Sequence, residues 1–387
     1  MKKNNETTNQ NREAKTPKKA KLKAKLESKL PKSKKAPTSL RITNDNISEH
    51  REDILAKGRK LKYPMQYSKK RLIVISIVVV VAAVTTFGLW LNNALYKQQQ
   101  TGDFFFSVTK ILPLNVASVD GQPVRYQDYL RRLRADVHYY LNHEHRSFNS
   151  DEGEVELNYH KRKDLDVAEK AAYVEYLAEQ NDISVSMDEV DAEITAMREA
   201  NGETEEGLTS TLESYYGWSM SDYRLTTHDQ MLEQAVSYAI DNEAKETADE
   251  VLEQLQAGAD FSAVAGNGTS GDTTQQTGSA SSVQTLPNVQ NGGTITAKTI
   301  DQDPTGVVQA VSKLSVGELT EVGKMRSNNT NYYYIARLDA KDGEDIQYSL
   351  ILIKLTKLDD DFAKLRADGK IEEYISVPEP DEFDTDE

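Results

Sequence analysis

Residues 72–91 read LIVISIVVVVAAVTTFGLWL, an uncharged run in which Ser76, Thr85 and Thr86 are the only hydroxyl side chains. At about 1.5 Å per residue, a helix of that length reaches roughly 30 Å, the thickness of a bilayer's hydrocarbon core. A single membrane crossing over 72–92 is expected. A cleaved secretory leader would have a short basic start and an apolar stretch of about 7–15 residues. Here 71 residues precede a longer stretch.

Charge opposes a buried helix of a soluble protein as the alternative. Residues 1–71 hold 22 Lys and Arg against 7 Asp and Glu, whereas 72–387 hold 25 against 55, so the net charges are +15 and −30. Lys and Arg resist translocation, so Lys69-Lys70-Arg71 should keep the N-terminus cytoplasmic and send the 296 residues after the run outside. The lysine-rich segment 1–71 has little to bury and is expected to be a disordered cytoplasmic tail. It is either a solvated tail that reinforces topology or one that touches anionic lipid.

The acidic outer part argues against nucleic acid there, because phosphates attract basic surfaces. Cysteine is absent, which excludes disulfides, thiolate metal sites and cysteine nucleophiles. His138, His143 and His145, beside Glu144, match no common zinc spacing and read as a solvated helix end. Neither a metal nor a cofactor is expected, and no phosphate loop or nucleophile elbow is present.

After a linker over 93–112, Val116–Val124 reads as two short strands about an Asp120-Gly121 turn. Tyr126, Tyr129, Leu130, Leu133, Val137, Tyr140 and Leu141 then mark one helical face, and Val167, Ala171, Val174, Leu177 and Ala178 a second. Ser186 with Glu189 spells a capping box, and Asn201-Gly202 stops that helix. Leu208, Leu212 and Tyr215 give a fourth helix, and Ser219 opens a fifth. Residues 113–242 therefore form a helical domain of about five helices.

Three blocks, VASVDGQPVRYQDY, AEKAAYVEYLAEQNDISVSMDEVDAEI and YYGWSMSDYR, resemble in order the N-terminal chaperone region of the SurA, PrsA and PpiD family of extracytoplasmic foldases. Four more resemble that family's parvulin-type prolyl isomerase domain over 243–345. Gly258, Phe261, Val264 and Ala265 match its first helix and loop, and Gly292-Gly293-Thr294-Ile295 its glycine segment. Leu314–Thr320 matches a strand entry, and Tyr332–Leu338 a strand.

The resemblance implies an α+β protein: one transmembrane helix, a helical chaperone domain and a small parvulin-like domain with an antiparallel sheet. A Gly/Ser/Thr-rich insertion over 266–293 should be flexible, and 377–387 is an acidic tail. Strand 346–354 and a closing helix, within 346–376, would complete the fold. The family's first strand is missing before Ala244, and the late strand would take its place by permutation or be an added edge strand.

By the resemblance, isomerisation uses two facing histidines, a Cys or Asp, and an apolar proline pocket. No histidine lies in 243–387. The pocket positions are held by Phe261, Val307, Leu319, Tyr334 and Leu350, with Tyr334 and Leu350 at the histidine places, so catalytic activity is not expected. Tyr139, Tyr215, Tyr216 and Trp218 are candidates to line an apolar groove, with core packing as their plainer role. The implied work is binding unfolded or nascent exported polypeptides at the cell membrane. An active isomerase and a structural envelope protein with one fixed partner are the alternatives.

Overall fold

The computed structural model describes residues 44–62, 64–265, 286, 288–300, 303 and 305–378. Residues 1–84 and 85–387 are separate units.

In the first unit, the expected disordered tail is corrected over α1 (Asn44–Lys62). Here mixed charges replace the Lys/Pro/Ala repeat of 15–37, and Asp53 and Lys57 pair one turn apart at 3.4 Å. The rest of the lysine-rich segment, residues 1–43, lies outside the described residues. The apolar run sits in α2 (Pro64–Asn92), which starts earlier than expected. Lys70–Lys97 is the one span among the described residues long and apolar enough to cross a membrane, by length and composition.

The second unit folds into two lobes. The expected linker over 93–112 is corrected: Asn93–Lys97 is a single π-helical turn and α3 spans Asp103–Ile111. Leu91, Ala94 and Leu95 are buried in the first lobe's core. The Tyr126 hydroxyl donates to the Leu95 carbonyl at 2.7 Å, and that of Tyr96 to the Asn115 carbonyl at 2.8 Å. The end of the apolar helix is thus a structural part of this lobe.

Strands β1 (Asn115–Val119) and β2 (Gln122–Arg125) form the expected hairpin. Asp120 and Gly121 both take positive φ, the conformation a two-residue primed turn needs. Five helices follow, as the apolar spacing predicts: α4 (Tyr126–Asn142), α5 (Asp151–Gln180), α6 (Met187–Ala200), α7 (Glu205–Tyr216) and α8 (Met220–Ile240). The Ser186–Glu189 capping box is made, and Ser219 with Asp222 makes a second. Tyr126, Tyr129, Leu130 and Leu133 of α4 meet Leu165 and Val174 of α5 in the core.

The chain then enters the second lobe through α9 (Asn242–Gln256) and α10 (Phe261–Val264). Its sheet is antiparallel, built from β3 (Val289–Lys298), β4 (Gly323–Ser327), β5 (Thr330–Asp342) and β6 (Asp345–Lys354) in the order β3-β6-β5-β4. Helix α9 covers one face and the short α11 (Val307–Val311) the other. The late strand pairs on both sides, so it is interior and not an added edge. Residues 289–293 of the expected flexible insertion belong to β3, where Asn291–Gly293 forms a bulge; 266–285 lie outside the described residues.

The closing elements correct the sequence reading further. Helix α12 (Lys357–Ala367) and β7 (Ile371–Glu373) return to the first lobe. β7 pairs with β1, giving a three-stranded sheet β2-β1-β7, and Leu358, Ile375 and Val377 join the first core. The acidic tail therefore begins after Val377; residues 379–387 lie outside the described residues. The second lobe is an insertion, entered after Ile240 and left at Leu355.

Candidate functional site

The five pocket positions do not share one pocket. Side chains alternate across a strand, so Tyr334 faces the α11 side with Val307 and Leu350. Phe261 and Leu319 pack on the opposite face with Tyr333, Ile335, Ile351 and Ile353. Phe261, Val307, Tyr334 and Leu350 are buried. The Arg337 guanidinium lies 4.7 Å from the centre of the Phe261 ring. The Tyr334 ring covers Gly323 so closely that a Cβ there would approach it to 2.2 Å. These residues serve two packed cores.

The four groove candidates do come together. Helix α7 ends at Gly217, whose φ of +62° turns the chain so that Trp218 follows Tyr215 and Tyr216 along the surface. His143, just past α4, stacks on Tyr215 at 4.1 Å with an interplanar angle of 2° and on Tyr139 at 5.6 Å. Tyr216 lies 6.5 Å from Tyr215 and stacks on Trp218 at 5.1 Å. The rings form one continuous ledge from Tyr139 to Trp218. Tyr215 and Tyr216 remain 44% and 40% exposed, so they are surface and not core.

Histidines that spacing alone reads as a solvated helix end have a structural task. Nε2 of His138 and Nε2 of His143 lie 2.9 and 3.0 Å from the Ser214 carbonyl. With the proton on Nε2 each ring donates to a carbonyl in the last turn of α7, where backbone acceptors lack intrahelical partners. A Cβ at Gly217 would sit 2.9 Å from the His138 ring, so this position needs glycine for space as well as for φ. The Trp218 indole N–H donates to the Arg131 carbonyl at 3.1 Å. The Tyr139 hydroxyl donates to Glu144 at 3.1 Å, and that bond raises its pKa above the ordinary tyrosine value. The histidine contacts could not be read from sequence, because Ser214 lies more than 70 residues away.

Two clefts of about 240 and 250 Å³ flank Gln230 and Arg326, where α8 meets the β4–β5 hairpin. Lys170 links Glu233 at 2.9 Å and Asp359 at 2.6 Å beside the first, and Met197, Met231 and Met325 line the second. Each is smaller than the roughly 300 Å³ at which ordinary small-molecule sites begin. A larger, open hollow of about 740 Å³ lies along α7 and carries Glu205, Glu206 and Glu213. Among the described residues no group of His, Asp and Glu is placed to hold a metal.

The α-helical lobe thus carries an exposed aromatic ledge at one end of α7 and an open acidic hollow along the same helix. Residues 65–237 match the family model of the SurA-like N-terminal domain. Over these residues the chain is similar to the SurA-like N-terminal domain, and this supports a chaperone-like foldase role. The match begins in α2 and ends within α8, so the family's domain takes in the apolar helix as well as the five-helix lobe. A search of curated proteins gave no match.

Proposed function

We propose that this protein is a membrane-anchored extracytoplasmic chaperone, and that the ledge from Tyr139 to Trp218 holds unfolded segments of newly exported polypeptides. The observation that carries this reading is the exposure of Tyr215, stacked on His143, and Tyr216, stacked on Trp218, within the stretch that matches a SurA-like domain. Rigid aromatic rings supply apolar contact at low entropic cost, and their faces also attract cations. Glu213 stands one turn before Tyr216, and Glu144 bonds Tyr139. The preferred client segment is therefore extended and carries both apolar and basic side chains.

The anchor is the span within Lys70–Lys97, and the cation-rich side faces the cytoplasm. Holding the lobe at the membrane raises its effective concentration where clients emerge. The second lobe is a permuted, parvulin-like domain without isomerase activity. Its interior late strand supports the permutation, and the separation of the five pocket positions by the sheet supports the loss of catalysis.

The test uses the full chain in lipid vesicles. It should suppress aggregation of several unrelated unfolded proteins, and Tyr215→Ala with Tyr216→Ala should weaken this about tenfold, the loss of roughly 1.4 kcal/mol of contact. Proline isomerisation in a short peptide should stay at the uncatalysed rate. Catalysis abolished by Tyr334→Ala would overturn the inactive reading, and co-purification with one fixed partner, without any effect on unfolded proteins, would overturn the chaperone reading.

A further inference from the structure

Helix α3 and the end of α2 carry an apolar patch that the anchor alone does not require. Trp90 contacts Phe87, Phe104 and Phe105, with ring centroids 5.8, 5.9 and 5.6 Å away. Along α3, Phe105, Phe106 and Val108 pack on the first core, while Phe104 and Ile111, two turns apart, face outward. Phe104 is 52% exposed and Ile111 80%, with Leu112 beside it. The patch thus continues from the last turns of α2 along α3 for about 10 Å, seven residues at 1.5 Å each.

The two charges bordering the patch are exposed and ion-paired. Asp103 is ion-paired with Arg134, and Lys110 reaches Asp222 at 2.8 Å. Beside them α3 presents Phe104, Ser107 and Ile111 outward. Exposed aromatic rings at the end of a membrane span, followed by a short helix with an apolar outer face, fit the zone where headgroups meet acyl chains.

We infer that this patch is a lipid-binding surface, which seats the first lobe directly on the outer face of the bilayer with α3 lying in the interfacial layer. The occupant is lipid because the patch continues from the turns of α2 that end the apolar run, with no intervening linker: Leu91 and Leu95 are already in the lobe's core. A lobe held this way has a fixed distance from the membrane, in contrast to one swinging on a tether. The inference rests on the membrane-anchor reading above.

The native chain has no cysteine, so single labels are clean. Ile111→Cys and, as a control, Val316→Cys, which is exposed on the second lobe, are labelled with an environment-sensitive fluorophore. The full chain is placed in phosphatidylcholine/phosphatidylglycerol vesicles with a spin label near the headgroup. The label at 111 should be quenched about threefold more than at 316, as for an interfacial helix, and the chain should float with the vesicles after alkaline extraction. Flotation with equal, weak quenching at both sites would overturn the seating while leaving the anchor intact. A label at 111 that is shielded from water yet unquenched by lipid would mean a second copy or a client covers the patch, and also overturns it. Failure to float would overturn anchor and seating together.

Discussion

Asp241 sits where the chain enters the inserted lobe and binds the place where it leaves. One carboxylate oxygen accepts from the Ala244 N–H at 3.0 Å, and the other from the N–H groups of Thr356 and Lys357 at 2.9 and 3.1 Å. Hydrogen bonds to a charged acceptor contribute about 1.5–3 kcal/mol each. Asp241→Ala should cost about 2–4 kcal/mol in denaturant unfolding and loosen the two crossings, with faster hydrogen exchange at Thr356 and Lys357 as the signature. Gly323→Ala should destabilise the second lobe by about 1–3 kcal/mol, because the new methyl meets the buried Tyr334 ring. Asp164 gives a pH effect. Burial, and then the nearby Asp136, push its pKa up to about 8 against the weaker pull of Lys163 and Arg132, and its Oδ2 has no hydrogen-bond partner. The native state therefore holds a proton that the unfolded chain releases near pH 4. Stability from this group is complete below that pH and is lost as pH rises toward 8. Asp164→Asn should flatten the fall in unfolding free energy between about pH 4 and pH 8, and an unchanged fall would assign it to other groups.

The closing segment shows what elements do that single residues cannot. α12 and β7 come last in the described chain yet complete the first lobe, with β7 pairing β1 and Arg162 gripping Glu373 through two bonds of 2.8 and 2.7 Å. Glu169, fully buried on α5, accepts from Arg366 of α12 at 2.7 Å. Burying Leu358, Ile375 and Val377 contributes about 1.5–3 kcal/mol each. That total rivals the 5–15 kcal/mol by which whole domains are stable, so deleting residues 356–387 should abolish cooperative unfolding of the first lobe, while protected amides in β1 would contradict this. Sequence reading found the elements whose signals are local: the Asp120-Gly121 turn, the Ser186 capping box and the five helices. It missed β7, because three residues carry no periodicity and the partner strand lies some 250 residues earlier. It took 93–112 for a linker because the burial of Leu95 depends on Tyr126, beyond any local window. It gathered Phe261 and Tyr334 into one pocket because alternation assigns faces only once register is known, whereas Tyr215, Tyr216 and Trp218, adjacent at one helix end, needed no register to meet.

At the scale of the whole molecule, the apolar helix runs into a SurA-like lobe whose core contains its last turns, and a second lobe is inserted before that lobe is closed. The ledge is on the first lobe and the four-stranded antiparallel sheet on the second, so the proposed client binding can be altered by mutation without touching the second lobe. The most direct measurement places a photo-crosslinking residue at Tyr216, or at the still more exposed Val316 of the second lobe, in the full vesicle-bound chain. Unrelated unfolded polypeptides bearing apolar and basic residues are then added. Crosslinks from position 216 to several of them, lost on Tyr215→Ala and sparse from 316, are what client capture on the ledge requires. Equal yields from both positions, or none from 216 while aggregation is still suppressed, would place the binding surface elsewhere and contradict it.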